Sequence, residues 1–454
     1  MIIRRPIAAV LGRAVRAAVP AVTLAALALA AAPAAAAPVT APHDAAAPAL
    51  ITLKNGVRLL LAPDPAATAV DVAAWIDAGV RYERPGQIGI SHLVEHLATA
   101  ATVIDGMDDA KRIAAEGGTG SAYTNADWTC FSHTVPRGAL DVAFRLEAAR
   151  LALQPTEAQL RTASAGVRDE IRARARANPV EGSLERLYGA AFTAHPYRWP
   201  VLGLDADLER VTLGQCVEFL HQRYTPDHLL ITVAGDFDPD EALALARRHL
   251  EPIHGRGESR TPAAEPPSPH RGDAPGEFQV PILVVGWRAD AADAPALDCI
   301  ASLIAQGPLA RLYQRLVAGA GRCVLVDAGR DGRRDATMFW TIAALEPGAD
   351  SASVERDLLA EMDALGATPV GGDEMDRVRR RASLAMLFGR QTASDRGQAL
   401  GTAQMIAGDA GEADRAIERL RALAPADLQQ AAARTFTAAR RTVVWIRPAA
   451  GSRP

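Results

Sequence analysis

The sequence predicts an α+β fold of two homologous domains, each a mostly antiparallel sheet with helices packed on one side, in a clamshell arrangement. Three observations predict it. At 454 residues the chain exceeds what one hydrophobic core usually organises. Residues 254–277, HGRGESRTPAAEPPSPHRGDAPGE, are rich in Pro, Gly and charge, lack an apolar period, and read as a linker. On either side the chain repeats itself. Trp75 in VDVAAWIDAG and Trp287 in PILVVGWRAD lie 212 residues apart, as do Tyr224 in RYTPDHLLITVAG and Phe436 in TFTAARRTVVWIR. Two anchors with one shift indicate a duplication.

The elements follow in order. Residues 1–37 have the layout of a secretory signal peptide: Arg4, Arg5, Arg13 and Arg16, then an Ala/Leu-rich run, then small residues near Ala36 and Ala37. The run is short for a membrane span, so cleavage is expected, with no stable anchor and a periplasmic or secreted destination. The first domain is expected over 48–253. ITLKNGVRLLLAP reads as a hairpin turning at Asn55-Gly56. AVDVAAWIDAG is a strand, HLVEH lies on a helix, and GSAYTNADWTCFSHTVP alternates like strands. ALDVAFRLEAARLAL and PTEAQLRTASAGVRDEIRARARAN have helical spacing, and DHLLITVAGD closes the half. The second domain, 278–448, repeats the order: DSASVERDLLAEMDALG and GDEMDRVRRRASLAMLFGR are helices, and RTVVWIRP is the last strand.

Bulk composition narrows function. A net charge of −4 with 22% charged residues offers no basic stripe for nucleic acid. Cys130, Cys216, Cys299 and Cys323 are too widely spread for a zinc cluster. In an oxidising compartment they could pair; buried free thiols are the plainer reading.

The chemistry concentrates in SHLVEHLA, residues 91–98. His92 and His96 are four apart, so on a helix both rings leave one side, with Glu95 sharing roughly that side. An isolated pair of this kind is more often a satisfied structural pair. With only ten histidines in the chain, the added Glu shifts the balance toward a zinc ion and an attacking water. A third protein ligand is then required. The candidate is Glu170 in SAGVRDEIRARARANP, 74 residues after His96, flanked by Val167 and Ile171 that could seat its face. Its bland role is a solvated partner of Arg172 or Arg174, and Asp169 is the neighbouring alternative, about 100° away around the helix. Shifting His92, Glu95, His96 and Glu170 by 212 lands on Ile304, Gly307, Pro308 and Ala382, so the metal site belongs to the first half alone. His133, His195 and His228 read as packing or turn residues, and the basic run around Arg381 as a solvated helix face.

HLVEH, the downstream VRDEI, the duplication and the linker resemble the pitrilysin/insulinase family of inverted-motif zinc metallopeptidases, in its short bacterial and mitochondrial-processing-peptidase-like branch. The likeness runs from about Ile51 to Ile446, and is specific in GISHLVEHL, GGTGSAYTNADWTCF, VRDEIRARARANP, HPYRWPVLG and RYTPDHLLITVAGDFD. The resemblance implies one zinc per chain held by His92, His96 and Glu170, with Glu95 as general base. It also implies unfolded peptide substrates that add to the strand starting at Ser121, Ala122 and Tyr123. Three positions depart from the family. Ala163 stands where a supporting Glu is common. Val317 and Val324, after the helix-like RLYQRL, stand where an Arg and a Tyr commonly grip the substrate carbonyl. The expected repair is a homologous, metal-free partner subunit that supplies those donors; the alternative is a weak or inactive structural subunit.

Overall fold

The computed structural model describes residues 47–177, 179–276 and 280–448. The predicted signal peptide lies outside the described residues. Strands β1 (Ala49–Thr52), β2 (Arg58–Pro63), β3 (Val70–Ile76), β6 (Thr119–Thr124), β7 (Thr129–Val135) and β8 (Leu229–Gly235) form one sheet, ordered β1-β2-β8-β3-β7-β6. Every neighbouring pair is antiparallel except β2–β8. A small hairpin, β4 (Val103–Ile104) and β5 (Met107–Asp108), stands apart. The second sheet is β9 (His270–Gly276), β10 (Ile282–Ala289), β11 (Cys323–Gly332), β12 (Thr337–Leu345) and β13 (Arg441–Pro448), ordered β11-β12-β10-β13-β9, with only β9–β13 parallel.

One face of the first sheet carries helices α1 (Ile90–Ala101), α2 (Asp109–Ala115), α3 (Leu140–Leu151) and α4 (Glu157–Ala177). The other face is open to its own half, because the next helix, α5 (Pro179–Ala191), leaves it. Leu187, Tyr188 and Ala191 of α5 pack instead on Ile282, Val284, Val444 and Ile446 of the second sheet. Helices α6 (Asp205–Leu208), α7 (Leu213–Arg223) and α8 (Pro239–His249) complete the first half. The second sheet has its own α9 (Ala294–Ile304), α10 (Ser351–Ala367) and α11 (Gly372–Phe388). The following α12 (Ala393–Ala407) crosses back, packing Leu400 and Met405 on Leu60, Ala73, Trp75 and Leu230 of the first sheet. Helices α13 (Glu412–Ala422) and α14 (Pro425–Thr435) lead to the last strand. Each half therefore has its helices on one side, as expected, and lends one helix to the far side of the other sheet. This exchange explains why β3 (VDVAAWI) and β8 (LLITVAG) are buried along their whole length: strands covered on both faces read as continuous apolar runs.

Two expectations need correction. The 254–277 segment is not a free linker throughout, since His270–Gly276 is the edge strand β9, bonded through its backbone to β13. An edge strand with exposed side chains needs no apolar period, which is why composition missed it. The second correction concerns the repeat. The shift of 212 holds for the closing helix and strand, where α14 and β13 start 212 residues after α7 and β8. In the central strands, Ile76 pairs with Leu229 and Trp287 with Arg441, so Trp287 is the counterpart of Ile76, one residue out. Trp75 accordingly faces the crossing helix α12, whereas Trp287 faces its own helices. A one-residue slip sends a strand's side chain to the opposite face.

The four cysteines are buried and free. No helix among the described residues is long and apolar enough to cross a membrane.

Candidate metal centre

Helix α1 is built to face inward. Ile90, Leu93, Val94, Leu97 and Ala98 fill the first core, and this leaves His92, Glu95 and His96 along the side that meets α4. Its N-terminus has no side-chain cap of its own. Gly89 sits at φ +98°, and a Cβ there would come within 2.6 Å of the Gly203 Cα. The orphan N–H groups are satisfied from a distance: Glu83 accepts from Gly89 N at 2.8 Å and from Ser91 N at 3.0 Å, and Asp207 accepts from Ile88 N at 3.1 Å. Burial pushes the Glu83 carboxyl up to about 7, with the Asp207 charge adding to it, against the two N–H bonds that favour the anion.

On α4, Ala163 and Val167 are buried against α1, and Ile171 packs on the same core. That seating aims Glu170 at the histidine pair. Glu170 Oε2 is 3.4 Å from His92 Nε2 and 3.3 Å from His96 Nε2, and the two Nε2 atoms are 3.2 Å apart. Asp169, the sequence alternative, is outside: it is 77% exposed and bonded to Arg172 at 2.8 Å. Among the described residues, His92, His96 and Glu170 are the one grouping of three or more His, Cys, Asp or Glu able to hold a metal ion. The donor set fits zinc. Tetrahedral coordination at about 2.0–2.1 Å puts neighbouring ligand atoms roughly 3.3 Å apart, close to the three separations here. The His92 side chain is 7% exposed, while His96 and Glu170 are 30% and 28%, so the group is reached by solvent from one side.

Glu95 shares the inward side of α1 and is 7% exposed. Its Oε2 accepts from the Thr124 hydroxyl at 2.8 Å. Behind it lies Tyr224, whose phenol is pushed up by burial and by the Glu95 charge. Ser121, Ala122 and Tyr123 lie on β6, which among the described residues pairs only with β7 and so stands at the edge of the sheet. Tyr123 points to the face opposite the metal group, donating to Gln398 Oε1 of α12 at 2.8 Å and accepting from Trp128 Nε1 at 3.4 Å.

The three other histidines that the sequence assigns to packing or turns are held in place by the fold. His133 bonds Asp109 at 2.8 Å, His195 bonds Asp335 at 3.1 Å, and His228 packs against Gly257. Ala163 is buried in the first core, Val317 packs on the second core, and Val324 occupies a β-bulge between Cys323 and Leu325. Thr124, Glu83, Asp207 and Gln398 were not singled out by the sequence. Only Thr124, inside GGTGSAYTNADWTCF, had a signal nearby; the others act across distances of fold that spacing does not encode.

Two family models match the chain: "Insulinase (Peptidase family M16)" over residues 58–203, and "Peptidase M16 inactive domain" over 210–382. The chain belongs to the M16 peptidase family. Among relatives, zinc protease PqqE of Helicobacter pylori is 23% identical over 76% of this chain and 80% of its own length. An uncharacterized zinc protease of Mycobacterium leprae is 29% identical over 70% of this chain and 74% of its own. A crystal structure of a protease from Helicobacter pylori superposes with a TM-score of 0.82 at 22% identity, covering 89% of this chain and all of that one. An M16 inactive domain from Pseudomonas fluorescens superposes with a TM-score of 0.79 at 15% identity, over 90% of this chain and 100% of that one. These likenesses establish the M16 fold for both halves.

Proposed function

We propose that this M16 protein is a zinc-dependent endopeptidase acting on unfolded peptides after export to the periplasm or beyond. The observation that carries the reading is the meeting of His92, His96 and Glu170 from two helices, with Glu95 on the same side of α1. These three residues would hold the ion, one per chain. Zinc bound there would supply a water of lowered pKa and polarise a peptide carbonyl. Glu95, fixed at Oε2 by Thr124, takes a proton from the attacking water and passes it to the leaving amine nitrogen. The edge strand β6 at Ser121, Ala122 and Tyr123 binds an extended peptide through main-chain hydrogen bonds, which makes little demand on its sequence.

Val317 and Val324 in the second half carry no donor for a developing oxyanion. The reading therefore includes a homologous, metal-free partner that contributes those groups. A second reading, a weak or inactive structural subunit, is favoured by the same two valines and by Ala163, an apolar side chain buried in the first core beside the ligands' helices.

Zinc content and turnover of an unstructured peptide, measured for wild type and Glu95→Gln alone and with a co-produced homologue, separate the two. The expected result is zinc retained in both, with turnover at least about a hundredfold lower in the variant and higher in wild type when the homologue is present. Equal turnover in both proteins, or none under any condition, contradicts the peptidase reading.

A further inference from the structure

We propose that Thr124 is a positioning residue for Glu95, coupling the edge strand that receives peptide to the group that moves the proton. The proposal rests on the peptidase reading for its kinetic consequence, and on geometry alone for its structural one.

Thr124 is the last residue of β6, and its alternation places it on the helix-facing side together with Ala122, while Tyr123 faces α12. Its hydroxyl is 2.8 Å from Glu95 Oε2 and 3.0 Å from the hydroxyl of Thr129, its cross-strand partner on β7. Thr129 is fully buried and lies 2.7 Å from the carbonyl oxygen of Ala78, just beyond the end of β3. Each hydroxyl has one proton and two lone pairs, while an ionised carboxylate and a carbonyl only accept. The Thr124 proton therefore goes to Glu95, and Thr129 anchors the pair to the sheet through Ala78. Glu95 reaches the site on a flexible side chain with several rotamers; the hydroxyl, held by two strands, selects one of them.

The backbone of the same residue belongs to the edge strand. A peptide that hydrogen-bonds along β6 is then in fixed register with the residue that holds the base. A substrate carbonyl and the Glu95 carboxylate are set relative to one another through one strand, not through two helices that can slide. Misplacement of a catalytic group by about 1 Å can cost up to a hundredfold in rate, so loss of this contact should appear in kcat and not in binding.

The test uses the full zinc-loaded chain as Thr124→Val and Thr124→Ser, with crystal structures, zinc content and steady-state turnover of a fluorogenic peptide. The Val variant should keep its zinc and a KM within about twofold, lose at least about tenfold in kcat, and show the Glu95 carboxylate moved from its wild-type position. The Ser variant should restore both the position and the rate. An unmoved Glu95 carboxylate in the Val variant, or an equal loss in the Ser variant, overturns the proposal. If the Val variant does not fold, Thr124→Ala makes the same comparison. If wild type turns over no peptide even with the co-produced homologue, the peptidase reading fails, and the Glu95 position in the variant crystals still decides the role of Thr124.

Discussion

Glu83 and Glu170 are two carboxylates near one helix whose burial sets opposite behaviour. Glu170 stays near solvent, 28% exposed beside the two histidines; Glu83 is almost completely buried beneath the start of α1. Its folded pKa of about 7 lies above its ordinary 4.5. Its contribution to stability is thus complete below about 4.5 and is lost as pH rises through about 7. The difference in unfolding free energy between wild type and Glu83→Gln should therefore fall between pH 5 and 8 in denaturant titrations, and a difference independent of pH contradicts this. At this scale the sequence was informative where spacing along one helix decides geometry. The four-residue step from His92 to His96 suffices to stack the rings. Choosing Glu170 over Asp169 needed only the flanking apolar Val167 and Ile171, which mark the buried face. Glu83 was illegible because its partners, Gly89 and Ser91, are reached around a loop held shut by Gly89 against Gly203.

Among the elements, α12 carries the second half of the chain onto the first sheet. A Cβ on its Gly401 would lie 2.3 Å from the Trp75 ring, and one on Gly397 would lie 2.9 Å from Asp71 Oδ2. The helix rests on the sheet at a distance only glycine permits, below the same β6–β7 hairpin that Gln398 holds through Tyr123. Gly401→Ala should destabilise the protein by about 1–3 kcal/mol, as overpacking of a filled core does, measured as a drop in denaturant midpoint; an unchanged midpoint contradicts the close contact. The sequence signalled this coverage without naming its source. Runs such as AVDVAAWI and LLITVAG are apolar on both faces, which an ordinary one-sided sheet does not require, but a single sequence cannot say which helix supplies the second cover. The tryptophan anchor of the repeat failed for a related reason: in strands apolar on both faces, neighbouring residues are interchangeable to a pattern search, and only the pairing register tells Trp75 from Ile76.

Across the whole molecule, the halves are joined by more than the chain between them. The β11–β12 connection reaches into the first half. There, Asp335 receives Arg81 Nε at 2.5 Å and Nη2 at 2.9 Å, together with His195 Nε2 at 3.1 Å. Arg334 donates to Asp77 at 2.8 Å, to the Tyr82 hydroxyl at 2.8 Å and, through its backbone, to Asp127 at 3.1 Å. Burial would raise the Asp335 carboxyl, but the bonds from His195 and Arg81 outweigh it and hold it well below the usual range. Its stabilising effect is present above the ordinary carboxylate pKa and lost as pH falls through the depressed value. Arg81→Ala removes two of the three bonds to Asp335, a partly solvated carboxylate that keeps His195, and should lower stability by about 1 kcal/mol in denaturant titrations. The connecting segment is itself fastened, since Glu265 accepts from the backbone of Thr193, Ala194 and His195. Proteolytic nicking between 254 and 269 should therefore leave two fragments that co-elute at neutral pH, and their separation without denaturant contradicts a shared core. The exchange of α5 and α12 locks each half onto the sheet of the other.

Everything functional depends on the junction of α1 and α4, and zinc stoichiometry measures it most directly. Apo protein, dialysed against zinc and freed of excess, is predicted to carry one zinc per chain by elemental analysis, to keep it in Glu95→Gln, and to lose it in Glu170→Ala at the same chelator concentration. Wild type that takes up no zinc, or Glu170→Ala that holds it as firmly as wild type, would contradict the account.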